Sequence, residues 1–392
     1  MRPDLQREFI DRVTPDSYEA FKRDINASLG MEIPFRVCEM PIIVSHAFRK
    51  DLEKAAIEIM QQCVKPSYLQ RSDNTLTPEA TVRNQNDRPL FSVVDFAVCK
   101  DSDAEWVPKL IELQGFPSLL GYQYLYASRM RETYGLLDTT PFMGGLDLDG
   151  YLAILRESIF GMHSPADVAL MEVDPLKQKT RPDFIALEQL IGLRTVNIRD
   201  VQKDGKGLVV RHADGAVQRL RRIFNRAIVD ELDDMNVHLN FGWSDDLDVE
   251  WAGHPNWYFR ISKYALPFID HPASPCTTFL NEITETPADL HRYVLKPLYS
   301  FAGKGVNVAP TAADIATIPD ALRDSWVLQE KVEYAECIAT PYGNNKVEML
   351  IWPQDAEAPI PVMSLARSGR GALMGARYNT DPWTGSTGCL FV

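Results

Sequence analysis

An α+β fold carrying an added α/β layer is predicted by three observations. Residues 1–64 place apolar side chains at helical spacing, residues 151–250 alternate strand and helix patterns, and from about residue 256 short apolar runs are separated by glycine-bearing loops. Helical spacing gathers one buried stripe on a helix, strand–helix alternation builds an open layered sheet, and short apolar runs bounded by turn residues read as strands.

The elements follow in order. Tyr18, Phe21, Ile25 and Leu29 share one helix face, as do Phe48, Leu52, Ala55, Ala56 and Ile59, with Ser45 placed to cap the second helix. Residues 65–90 are rich in Asn, Asp, Pro and Arg and read as loop. FSVVDFAV (91–98) and PKLIELQG (108–115) read as buried strands, and 118–136 return to helix. Over 151–250 the order is helix (YLAILRESIF), strand (VALMEVD), helix (PDFIALEQLIGL), strand (RTVNIRDV), then a hairpin turning at Ala213–Asp214–Gly215. YVLKPLYS, VNVAP, WVLQEKV, KVEMLIW and PVMSLAR complete the chain as short strands. Four segments are expected: helical 1–64, a strand pair and helix over 65–150, an α/β layer over 151–250, and a final mixed lobe over 251–392.

Composition narrows the function. The 392 residues are 45% hydrophobic and 24% charged, ordinary globular usage that leaves room for two or three units sharing one site. Asp+Glu 54 against Lys+Arg 41 give a formal charge of −13. The densest basic run is Arg219, Arg221 and Arg222 on an expected strand, so an acidic surface argues against nucleic acids and anionic membranes. Local basic pockets remain compatible with it. The six cysteines show no CxxC spacing and read as free thiols of a reducing compartment. The polar start MRPDLQREF and the lack of any ~18–20-residue apolar stretch lead to the expectation of a soluble, cytoplasmic protein.

The most informative stretch is YVLKPLYSFAGKGVNVAPT (293–311). Lys296 stands on a strand just before a loop with Ser300, Gly303, Lys304 and Gly305. A strand lysine meets phosphate oxygens as a point charge, and a glycine loop lets backbone N–H groups close over phosphates. The spacing is not that of a P-loop, whose lysine follows its glycines. A surface hairpin is the plain alternative. Downstream, WVLQEKVEYAECIAT offers Gln329, Glu330, Lys331 and Val332 at a strand end and Glu336 six residues after Glu330. Earlier, Asp95 lies in the middle of SVVDFAV, with Glu112 and Gln114 in LIELQG. Two neighbouring apolar strands that each present a carboxylate suit Mg²⁺, which takes oxygen ligands and few protein carboxylates beside substrate phosphates. Salt-bridged strand ends are the alternative for each acid alone.

In this order the segments resemble the ATP-grasp superfamily. That resemblance implies Lys296 and the 300–305 loop on the phosphates, Gln329, Glu330, Lys331 and Val332 beside adenine, and Glu336 on the ribose. The family's linear order would put the metal ligands after the adenine segment, where this chain has only Glu348 and Arg377-Tyr378-Asn379. With Asp95, Glu112 and Gln114 ahead of the lysine-bearing lobe, the organisation resembles the circularly permuted ATP-grasp of glutathionylspermidine synthases. Gln114 stands where that family has Asn. Ser92 and Val93 occupy the neighbourhood of its arginine, with Arg88 further back. MEVDPLKQKTRPDF, RRIFNRAIVDEL and HPNWYFRISKYALP resemble its connector and pre-ATP-grasp segments. Asp174, Lys179, Arg181, Asn225 and Arg226 stand near strand ends, where open α/β sheets bind ligands. Helix caps and surface ion pairs would also explain each of them.

At the end of the chain Arg367, Arg370 and Arg377 alternate with glycines, and guanidiniums stabilise a transferring phosphoryl group. Gly385–Cys389 read as a segment that orders with ligand, and Cys389 as an ordinary thiol. The resemblance implies ATP and Mg²⁺ as cofactors and small-molecule carboxylate and amine substrates joined through an acyl phosphate. A phosphotransferase on the same scaffold and a non-catalytic nucleotide-binding protein are the alternatives.

Overall fold

The computed structural model describes residues 1–392 apart from 79–80, 213–214, 230–231, 233–234, 301–302, 356 and 376. Its centre is a seven-stranded sheet. From one edge the strands run Ile42–Val44, Gly385–Phe391, Ile360–Gly369, Gly343–Gln354, Val93–Lys100 and Trp106–Gln114, and Ile338–Thr340 pairs with one end of Gly343–Gln354. The Ile42–Val44 pairing with Gly385–Phe391 is parallel and the others are antiparallel. The first and last parts of the chain therefore interleave in one sheet.

Side chains alternate across a strand, and the two faces of this sheet divide accordingly. Val94, Phe96, Met349 and Ile351 are buried together with Phe48, Leu52, Ala55 and Ile59 of the helix His46–Gln62. Ser45 caps that helix, its hydroxyl accepting from Phe48 N–H at 3.3 Å. The opposite face carries Val93, Leu350, Leu365 and Trp352, packed with Leu120 and Phe142 in a second core.

The α/β layer has a parallel four-stranded sheet in the order Glu250–Ala252, Arg222–Asn225, Val168–Glu172 and Arg194–Asn197. The helices Leu148–Phe160 and Arg181–Ile191 cover it. A separate antiparallel sheet holds Val201–Asp204, Gly207–Arg211 and Val217–Leu220, while the Ala213–Asp214 turn lies outside the described residues. A third small sheet, Thr277–Phe279, Trp326–Glu330 and Tyr293–Pro297, forms the lobe that carries Lys296.

Four local expectations change. Residues 65–90 contain a helix, Pro66–Ser72, started by Pro66. Arg260 holds that segment, reaching Asp73 at 2.6 Å and Ser72 Oγ at 2.7 Å. The first 64 residues include the strand Ile42–Val44. VNVAP forms no strand and is joined to Tyr293–Pro297 by an isolated bridge between Asn307 and Leu295. Gly385–Phe391 is a fully buried strand inside the large sheet rather than a ligand-ordered tail, because two strands satisfy its backbone. All six cysteines are free, and only Cys276 is exposed. Among the described residues no helix is long and apolar enough to cross a membrane.

Two contacts position the segment after Gln114. Asp183, buried on the helix Arg181–Ile191, accepts N–H bonds from Leu119 (3.0 Å), Gly121 (2.8 Å) and Tyr122 (2.9 Å). It satisfies the orphan donors that open the helix Leu120–Thr133. Gly115 donates to Ile261 O at 2.6 Å, and a Cβ at 115 would lie 2.1 Å from Trp257 O. Gly115→Ala is expected to force strand and turn apart and cost about 1–3 kcal/mol, read as a lowered urea midpoint with unchanged slope.

Candidate functional site

Residues directly opposite in an antiparallel pair share a face. Asp95 stands opposite Glu112 on one side and Leu350 on the other. Glu348 stands opposite Ala97 and Arg367. The sheet thus sets Glu112, Asp95, Glu348 and Arg367 in a row on its inner face. That row lines a cavity of about 420 Å³. The small lobe contributes Lys296, Ser300 and Gly303, the turn after Ser262 contributes Lys263, and the α/β layer contributes Glu172, Gln178, Thr180 and Arg226.

Buried charge must be matched by charge or hydrogen bonds. Glu348 accepts from Arg367 Nη1 at 2.6 Å and from Tyr334 OH at 3.0 Å. Glu112 pairs with Lys263 Nζ at 3.2 Å and accepts from Gln114 Nε2 at 3.0 Å. Lys263 also donates to Ser300 O at 2.7 Å, tying the small lobe to the sheet. Lys296 donates to Ile111 O at 2.8 Å and to Gln329 Oε1 at 2.5 Å. Asp95 is 1% exposed. Its Oδ2 lies 3.7 Å from Arg367 Nη1, and its Oδ1 has no hydrogen-bond partner.

The acid–base consequences differ by residue. Burial, reinforced by Glu348, pushes the Asp95 carboxyl well above its ordinary value. Burial also opposes the charge on Glu112, but Lys263 and Lys296 outweigh it and its pKa falls. Burial works against the Arg367 cation as well, yet Glu348 and Asp95 hold it on. Burial lowers Lys296 to about 8, with Glu112 opposing the shift.

Of the residues singled out in the sequence, the cavity brings together Asp95, Glu112, Gln114, Lys296, Ser300, Gly303, Arg367 and Arg226. Gln329 stands behind Lys296 as its hydrogen-bond partner. The others lie elsewhere. Lys304 and Gly305 stand between Gly303 and Val306, which line the cavity, without lining it themselves, and residues 301–302 of their loop are outside the described set. Glu330 N–H is bound by Cys276 O at 2.8 Å and Lys331 N–H by Arg292 O at 2.7 Å. Val332 is half-buried away from the cavity lining, and Glu336 is exposed and accepts from Asn344. Arg370 binds Asn345 Oδ1 at 3.0 Å and Pro382 O at 3.1 Å, and Arg377 lies over the Tyr378 ring. Asp174 pairs with Arg199, and Asn225 bonds the backbone of Ala227.

Sequence reasoning passed over Lys263 and Tyr334, and set Glu348 aside as a metal ligand because Arg377-Tyr378-Asn379 stands where a second carboxylate would follow it. Glu348 carried a readable signal, a lone acid at a buried strand centre. Nothing local marks Lys263 or Tyr334.

Oxygen donors at Asp95 and Glu112, with Gln114 beside them, fit Mg²⁺, and the unpartnered Oδ1 of Asp95 leaves one donor available. No group of three or more His, Cys, Asp or Glu among the described residues is arranged to hold a metal alone. A magnesium held here would thus need its remaining ligands from water or a bound phosphate.

A lysine whose pKa of about 8 lies below the ordinary 10.5 disfavours folding while charged. That penalty is full below about pH 8 and fades as pH rises toward 10.5. Titration of the Lys296 ε-carbon by NMR is expected to show a midpoint near 8, and Glu112→Gln, by removing the opposing charge, to move it lower.

A glutathione synthetase-like effector from Globodera pallida, solved in its apo form, is similar in structure to this chain. The TM-score is 0.61 at 13% identity, over 96% of this chain and 96% of that chain. No protein-family model matches the sequence, and no curated protein does. The chain is thus a mixed α+β protein with mixed sheets whose fold is similar to that of a glutathione synthetase-like protein.

Proposed function

We propose that the cavity is the site of an ATP-dependent carboxylate–amine ligase with a circularly permuted ATP-grasp organisation. The observation that carries this reading is the meeting of three carboxylates (Asp95, Glu112, Glu348) with three cations (Lys263, Lys296, Arg367) where the large sheet faces the small lobe. Carboxylates suited to Mg²⁺ beside lysines suited to phosphate oxygens are what phosphoryl transfer from a nucleotide requires. Chain order supports the permuted arrangement, since the strands of Asp95 and Glu112 precede the lobe of Lys296 and the closing strands follow it. The likeness to a glutathione synthetase-like fold supports it at the level of architecture.

Asp95 and Glu112, with the Gln114 amide, would hold Mg²⁺, whose charge would offset that of the ATP phosphates. Lys296 and Lys263 would exchange their present acceptors, Gln329 and Ser300 among them, for phosphate oxygens. Arg367, fixed by Glu348, faces the position where charge develops as a substrate carboxylate oxygen bonds to the γ-phosphorus and ADP leaves. An amine nitrogen then bonds to the acyl carbon, phosphate departs, and the nitrogen gives up a proton. The apolar wall of Leu350, Leu365 and Trp352 keeps water from the acyl phosphate.

Calorimetry with MgATP is the test. Wild type is expected to bind, and Asp95→Asn and Lys296→Ala to lose at least about tenfold in affinity, roughly 1.4 kcal/mol each. Turnover should release ADP and free phosphate together. Release of ADP with a phosphorylated product would make the enzyme a kinase, and a wild type that ignores MgATP would sink the nucleotide reading.

A further inference from the structure

The α/β layer brings a polar group to the cavity that phosphoryl transfer does not use. Arg226 follows the strand Arg222–Asn225 at the carboxyl end of the parallel sheet, its N–H held by Met171 O at 2.9 Å. The side chain is buried, 8% exposed, and its guanidinium lies 4.6 Å from the centroid of the Phe116 ring. One nitrogen, Nη1, donates to Pro117 O. The Nε–H is buried and has no hydrogen-bond partner. Beside Pro117, the hydroxyl of Ser118 is likewise buried without a partner. Both residues line the cavity.

Buried donors left without acceptors carry a full desolvation penalty, and a cationic one calls for an oxygen anion. Stacking on Phe116 and the bond to Pro117 fix the guanidinium plane, so the free N–H has a set direction. The surroundings limit the charge of the partner. Glu172 lines the same cavity, and the Glu172 and Asp183 carboxylates both act on Arg226. A singly charged, planar carboxylate suits such a site better than a phosphate dianion.

We propose that Arg226 and Ser118 form a second anion subsite, which takes a carboxylate of the substrate other than the one activated. The substrate class is then a compound with two carboxylate groups, one anchored on the α/β layer and one presented to Arg367. The anchoring stands independently of nucleotide chemistry. Only the assignment of which carboxylate reacts rests on the ligase reading.

Saturation-transfer NMR with glutarate, butyrate and inorganic phosphate on the intact protein tests this. Glutarate is expected to bind more tightly than butyrate or phosphate, Arg226→Gln to weaken it at least tenfold, and Ser118→Ala to weaken it about threefold. Ser118→Ala removes a hydroxyl that bonds nothing in the protein, so its fold is secure, and it decides the matter if Arg226→Gln fails to fold. Equal binding of glutarate and butyrate, tighter binding of phosphate, or folded variants with wild-type glutarate affinity would each overturn the subsite. MgATP calorimetry on the same samples separates the two readings. Arg226-dependent glutarate binding without MgATP binding keeps the subsite and removes the ligase, and the converse does the opposite.

Discussion

Three carboxylates on one inner sheet face cannot be left alone, because a charge removed from water without a partner either neutralises or destabilises the fold around it. The cations that answer them come from separate parts of the chain: Lys263 from the turn after Ser262, Lys296 from the small lobe, and Arg367 from a neighbouring strand. Lys263, through Glu112, and Lys296, through Ile111 O, dock the turn after Ser262 and the small lobe on the large sheet, whereas Arg367 joins two strands of that sheet. Lys263 is the clearest case, holding Glu112 on the sheet and Ser300 in the small lobe with one ammonium group. Buried pairs of this kind contribute little net stability, whereas removing one partner costs several kcal/mol. The arrangement fixes positions more than it adds stability.

The balance is uneven. Glu348 is held from both oxygens, Glu112 from two directions, and Asp95 from one, with Arg367 at 3.7 Å and Oδ1 unbonded. Lys296 rests on neutral acceptors, a backbone carbonyl and the Gln329 amide, and burial lowers its pKa. On the proposed reading, the under-bonded Asp95 carboxyl and a lysine on neutral partners at one cavity would be completed by the charges of a bound ligand.

The large sheet supplies the cavity with both an apolar wall and a charged row. It lays down Leu350, Leu365 and Trp352 beside the charged row, and the α/β layer adds Arg226 to the same cavity. Asp183 joins the two by capping the helix that follows the Glu112 strand while belonging to the α/β layer itself. Gly115 permits the close approach of that strand to the 257–261 turn, which leads to Lys263.

Strand and helix identities were largely legible, because periodicity is local. The Asp95 and Glu112 strands, the Lys296 strand and the helix capped by Ser45 can all be read from spacing. Pairing is not local. Nothing in GSTGCLF announces a buried strand, since its burial depends on Ile42–Val44, more than three hundred residues away, running parallel beside it. The same holds at the site. Asp95, Glu112 and Lys296 stand out as charges within apolar strands, while Lys263, Tyr334 and the roles of Glu348 and Arg226 emerge only when four segments meet. Arg367 and Arg370 look alike in the sequence, yet strand register turns Arg367 toward Asp95 and Glu348, while Asn345 and Pro382 hold Arg370 elsewhere. The sequence by itself determined which strands carry charge. Only the tertiary structure decided which charges face one another, because that depends on cross-strand register and on lobes brought together from distant parts of the chain.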